Sequence, residues 1–150
     1  MKNNKYKRFP IMLAISFVIM YAVMFLNIVE LNHIYLSATR FYMALLMVSP
    51  MALLMLLMMR DMYTNKKINR IIFVISTLIF IFSLIFLRAQ IPIGDEQYMK
   101  AMIPHHSSAI LTSENADIKD PEVKQLAKEI IETQEREIAQ MKDILARMNK

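Results

Sequence analysis

Three long apolar runs without a charge fill the first half of the chain, at residues 11–29, 41–59 and 71–87. At about 1.5 Å of rise per residue, helices of this length can cross a hydrocarbon core roughly 30 Å thick, the third being at the short end. Pro50 lies inside the second run, which a membrane helix tolerates. The first run follows a basic start, as a cleaved leader would. Leader apolar stretches are shorter, however, and no small-x-small cleavage site follows, so a retained helix is expected.

Beyond residue 88 the apolar positions thin out and recur at helical spacing. Residues 89–94 hold the only glycine and a proline, and are predicted as a hinge. Asp95 reads as an N-cap, with Glu96 favourable in the first turn. That helix should reach about Asn115, with Pro104 inside it removing one backbone bond and kinking it beside His105 and His106. Residues 116–120 form a turn in which Asp120 caps the next helix and Pro121 takes its first position. The last helix, to about Met148, carries an inner stripe of Val123, Leu126, Ala127, Ile130, Gln134, Ile138, Met141, Ile144, Leu145 and Met148. The expected fold class is all-α: three transmembrane helices in a membrane domain, 1–88, followed by an antiparallel helical hairpin over 95–150.

Charge gives this plan a direction. Residues 1–88 carry ten Lys or Arg against two acids, and residues 89–150 carry eight against eleven. The basic residues flank apolar runs instead of lining a helix face, so nucleic acid is not the expected partner and membrane lipid is. Lys2, Lys5, Lys7 and Arg8 precede the first run; Arg60, Lys66, Lys67 and Arg70 separate the second from the third. Between the first two runs only Arg40 and Glu30 are charged. The positive-inside rule then places the N-terminus in the cytoplasm and, after three crossings, the C-terminal segment outside it.

The candidate chemistry lies in residues 98–110. With Met99 set at 0° on a helix, Met102 falls near 300° and His106 near 340°, while His105 sits at the edge of that face near 240°. Two thioethers and an imidazole with no thiol in the chain form a donor set suited to copper, above all Cu(I), and less so to Zn(II). Core filling is the plain alternative for the methionines. On the last helix Gln134 and Glu137 interrupt the apolar arc. Counting outward equally from Ile118 sets Met102 opposite Gln134 and Met99 opposite Glu137, so either polar group can accept the far N–H of a ligating imidazole. Asn27, Glu30 and His33 are read as interfacial polar residues outside the site. The stripe Met43, Met47, Met51, Met55, Met58 and Met62 is read as packing or lipid-facing filler.

Tyr98-Met-Lys-Ala-Met-Ile-Pro-His-His-Ser-Ser-Ala-Ile110, with Asp120-Pro-Glu-Val-Lys-Gln-Leu-Ala and the later Gln134, Glu137 and Met141, closely resembles the domain-of-unknown-function family 305. That family is ferritin-like and helical and includes copper-binding proteins; the three-helix leader is similar to a bacterial membrane-anchored branch. The resemblance implies metal ligation by Met99, Met102, His105, His106 and Met141 in a plasma-membrane protein with an extracytoplasmic domain. It further implies copper sequestration, transfer or tolerance. One motif copy suggests that two hairpins pair into a four-helix bundle, a homo-dimer or higher oligomer. A structural or signalling membrane protein whose outer hairpin binds a partner, without metal, is the competing class. Catalysis is not expected: there is no Cys nucleophile and no Gly-x-Ser-x-Gly elbow, and di-iron catalysis in ferritin-like bundles needs Glu residues and Glu-x-x-His pairs from four helices.

Overall fold

The structure, a computed structural model, describes residues 3–148. Lys2, one of the four N-terminal basic residues, therefore lies outside the described part. Five α-helices make up the fold, with no strand among the described residues: α1 (Asn3–Val23), α2 (Ala38–Met58), α3 (Lys66–Ala89), α4 (Asp95–Asn115) and α5 (Pro121–Met148). The chain is all-α.

It divides into two compact units. One comprises Met1–Val23 and Thr39–Pro92, the other Met24–Ala38 and Ile93–Lys150. A division near residue 88 alone thus misses that the connection between α1 and α2 groups with the C-terminal helices.

In the first unit α1, α2 and α3 are each long and apolar enough to cross a membrane. Their bounds differ from the apolar runs in instructive ways. Helix α1 starts eight residues before its run and stops at Val23 instead of residue 29. Lys, Arg and Tyr are compatible with helix, so the charged flank simply extends it; its C-terminal end is explained by the second unit below. Helix α3 begins at its cap and not where the charges stop. The side chain of Asn65 accepts hydrogen bonds from the amides of Lys67 (3.0 Å) and Ile68 (3.2 Å).

One end of this unit has a small core of Phe9, Ala52, Leu56 and Tyr63. The Tyr6 hydroxyl donates to Asn69 Oδ1 at 2.9 Å and accepts from the Asn65 amide at 2.8 Å. Both Tyr6 and Phe9 meet the Tyr63 ring edge-on at 5.3 Å. Elsewhere the outward faces of the three helices stay apolar and exposed, Met43, Met47, Met58 and Met62 among them, while Met55 packs on the core.

In the second unit α4 and α5 pack on each other around Met99, Ile103, Ile110, Ile138 and Leu145. His106, midway along α4, meets Glu137, midway along α5, and Asp95 lines the same cleft as Met148. The helices therefore run in opposite directions. Asp120 caps α5 as expected, its carboxylate accepting from the amides of Glu122 (2.9 Å) and Val123 (3.1 Å). Asp95 does not cap α4. It is the first helical residue, and the cap position falls to Gly94, which gives no side-chain bond. Helix α4 continues unbroken through a buried Pro104.

The pairing register departs from equal counting. His106 faces Glu137, so α5 is displaced by about two turns and its first two turns pass beyond the end of α4. The physical cause is the connection. Ala116 leaves α4 in an extended conformation, and at about 3.3 Å per extended residue a five-residue link covers more length than two helical turns. Val123 and Leu126, expected in the inner stripe, are consequently 46% and 55% exposed, and the buried stripe begins at Ala127.

Candidate functional site

The cleft between α4 and α5 has a volume of about 520 Å³. Its walls include Met99 and Met102 from α4, Met141 and Met148 from α5, and the His106–Glu137 pair. Helical spacing explains the grouping: 99, 102 and 106 share a face of α4, and 137, 141 and 148 share a face of α5. The displaced register lays the second set against the first. Met99 is buried and Met141 packs on the same core, whereas Met148 is exposed at the cleft's end. Met148 was read only as part of the inner stripe; its i+7 spacing from Met141 was the available signal.

The buried imidazole of His106 is the polar centre of this face. Its Nε2 lies 2.8 Å from Glu137 Oε2, while its Nδ1 is buried with no hydrogen-bond partner. An ionised carboxylate only accepts, so in the neutral imidazole this hydrogen bond puts the proton on Nε2 and leaves Nδ1 with a free lone pair. A buried acceptor without a donor is costly unless something else occupies it. An imidazole in the same cleft wall as Met99, Met102 and Met141 adds a nitrogen donor to thioether sulfur, and a carboxylate behind the ring is the arrangement that orients a ligating histidine.

The other expected site residues fall elsewhere. His105 is exposed and does not line the cleft, although its ring centroid lies 6.1 Å from that of His106. Gln134 is half-buried and also outside the cleft wall, because the register places it beyond His106. Among the described residues, no three His, Cys, Asp or Glu side chains gather into a metal-holding group.

A second polar cluster arises where sequence reasoning saw only interfacial residues. Ser107 is wholly buried on the opposite flank of α4. Its hydroxyl accepts from the Val29 amide at 2.8 Å and lies 2.9 Å from Nδ1 of His33, itself buried. Next to it, Asn27 donates to the Ser108 hydroxyl at 2.7 Å, and Lys142 of α5 donates to Asn32 at 2.8 Å. The Ala38 amide donates to Gln97 at 3.0 Å. These bonds explain why α1 stops at Val23: the backbone and side chains after it are committed to α4 and α5. Glu30 and His33 also have a Glu-x-x-His spacing, on a 3-10 turn (Leu31–His33), with Glu30 Oε2 3.8 Å from His33 Nε2. Burial holds the His33 pKa below its ordinary value, Lys142 adds to that, and Glu30 opposes it. The sequential signal available for this cluster is the adjacent pair Ser107 and Ser108 in the same stretch as the histidines.

These features define an all-α protein with three helices long and apolar enough to span a membrane and a packed helix pair carrying a methionine–histidine cleft. Residues 85–146 match the family described as "Domain of unknown function (DUF305)", and the chain belongs to that family. It is similar to an uncharacterized protein of Acanthamoeba polyphaga mimivirus, at 38% identity over 118 residues, covering 77% of this chain and 76% of the relative. No solved structure matches.

Proposed function

We propose that the α4–α5 pair is a copper-binding module whose ligands are the thioethers of Met99, Met102 and Met141 and the Nδ1 of His106. The observation that carries this reading is that those three methionines and His106, whose Nδ1 is buried and has no hydrogen-bond partner, line one cleft. Thioether and imidazole favour Cu(I), a soft ion content with few, neutral ligands. Glu137 keeps His106 in the tautomer that presents Nδ1. His105, exposed at the margin, is a candidate for first capture and not for the final ligand set.

The ion is cargo, sequestered or handed on. Helices α1, α2 and α3 are the membrane anchor, with the basic ends of α1 and α3 in the cytoplasm and the helix pair outside it. The pair is read as a hairpin, half of a ferritin-like four-helix bundle that a second copy completes. Apolar Val123 and Leu126 on the overhanging end of α5 favour a second reading, in which the pair binds a partner protein without metal.

Titration of the full chain in detergent with Cu(I), against a competing chelator, separates the two. The wild-type chain is expected to bind at least tenfold more tightly than the Met102→Leu/His106→Ala variant, which corresponds to about 1.4 kcal/mol. Equal affinities end the copper proposal. Loss of cellular function on altering Val123 and Leu126, with the Met/His variant fully active, would favour the partner reading.

A further inference from the structure

The connection between α1 and α2 has its polarity reversed for a segment facing water. Its polar groups turn toward the helix pair, through Asn27 to Ser108, the Val29 amide and His33 to Ser107, and Asn32 to Lys142. Tyr35 packs on the same unit's apolar core. Along the same segment Leu26, Leu31 and Leu36 are exposed by 78%, 83% and 67%. Val29 and Ile34 are exposed beside them, and Glu30 is the segment's one acid. A single exposed leucine needs no explanation, but five exposed apolar side chains within eleven residues, on a segment whose Asn27, Asn32 and His33 bond to the helix pair, do.

Chain continuity says what covers them. The segment leaves α1 at Val23 and enters α2 at Ala38, both helices long and apolar enough to span a bilayer. Leu26 follows α1 by three residues and Leu36 precedes α2 by two, so neither can stray more than about 10 Å from a helix end. That distance is about the thickness of the headgroup region, where leucine side chains of interfacial segments are buried.

We propose that residues 24–38 form an interfacial strap: Leu26, Leu31 and Leu36 enter the boundary between headgroups and acyl chains, while the polar face grips α4 and α5. The strap rests on the reading that α1 and α2 cross a membrane. It makes the lipid surface a partner of residues 24–38.

The absence of cysteine from the chain makes single-cysteine probes clean. The full chain with Leu26→Cys, Leu31→Cys or Leu36→Cys, each carrying an environment-sensitive fluorophore, is placed in phosphatidylcholine vesicles. All three side chains are exposed, so these replacements leave the packing of the helix pair intact. Blue-shifted emission is expected, quenched several-fold more by lipids bearing a nitroxide high on the acyl chain than by aqueous iodide. A probe at exposed Leu54 of α2 is the control for the membrane reading itself. Lipid quenching at Leu54 with iodide quenching at the strap overturns the strap and spares the membrane reading. Protection of the strap probes from both quenchers indicates a protein occupant and also overturns it. Iodide quenching at Leu54 removes the membrane reading, and the strap with it.

Discussion

His33 shows how one side chain can decide the course of a backbone. It was placed among the polar residues expected where a membrane helix meets water, yet it is buried against Ser107, and the Val29 amide shares that hydroxyl. Because Val29 already donates to Ser107, the hydroxyl proton is free to go to an unprotonated His33 Nδ1. A protonated His33 would present a donor instead, leaving the fully buried hydroxyl proton to find another acceptor. The groups facing the ring are Glu30 on its own segment, Ser107 on α4 and Lys142 on α5, with Glu114 and Glu135 lining the adjoining cleft. Burial and Lys142 lower its pKa from 6.5. In the unfolded chain the same group binds its proton at higher pH than in the folded one, so its contribution to stability is fully present above 6.5 and is lost as pH falls through the depressed folded value. Amide hydrogen exchange at Val29 and His33 should therefore accelerate as pH is lowered from 7 to 5, after correction for intrinsic rates, and His33→Gln should flatten that dependence. An unchanged slope in the variant would show that another group carries it. Ser107→Ala removes the shared hydroxyl and is expected to cost about 1–3 kcal/mol of unfolding free energy.

Helices were more legible than the way they pair. The bounds of α5, and the capping of its start by Asp120, follow from a capping residue, a proline at the first position and an apolar period of 3.6. Those are local rules, and they held because nothing distant overrides them there. The register between α4 and α5 is not local. It depends on the conformation of residues 116–120, and an extended link and a compact one have equally plausible sequences. This one difference moved Glu137 from Met99 to His106, took Gln134 out of the cleft and left Val123 and Leu126 exposed. Two substitutions read the register directly. Leu126→Glu should change stability by less than about 0.5 kcal/mol, as for an exposed surface position, whereas Ile138→Ala should cost about 2–5 kcal/mol for a buried aliphatic truncation. Urea unfolding followed by circular dichroism gives both values. A Leu126→Glu cost near that of Ile138→Ala would restore the equal-count register, in which Leu126 faces Ile110.

For the molecule as a whole, the uncharged runs carried the reading furthest, because membrane insertion responds to sums over many residues and tolerates errors at each one. The three helices long and apolar enough to span a bilayer were legible for that reason. What the sums could not show was that the first apolar run serves two ends, α1 up to Val23 and then a segment bonded to α4 and α5. The site was legible only where spacing alone gathers side chains, as with Met99, Met102 and His106; which His105 or Gln134 neighbour joins them is settled by tertiary register. The direction of insertion proposed above rests on the same charge sums, and it sets which compartment the methionine cleft meets. Arg60, Lys66, Lys67 and Arg70, at the start of α3 and in the loop before it, stand against one acid, Asp61, whereas beyond residue 115 seven Lys or Arg are balanced by eight acids. With the chain otherwise free of cysteine, Thr64→Cys in that loop and Lys119→Cys in the turn before α5 can be compared in intact cells with a membrane-impermeant maleimide. Both positions are exposed, so folding does not mask either thiol. Labelling is expected at position 119 and absent at 64 until the membrane is permeabilised. An odd number of crossings between the two positions requires opposite responses, since only α3 separates the loop from the helix pair. Equal labelling of both thiols in intact cells means that α3 does not cross, and labelling of 64 alone inverts the topology and turns the methionine cleft toward the cytoplasm.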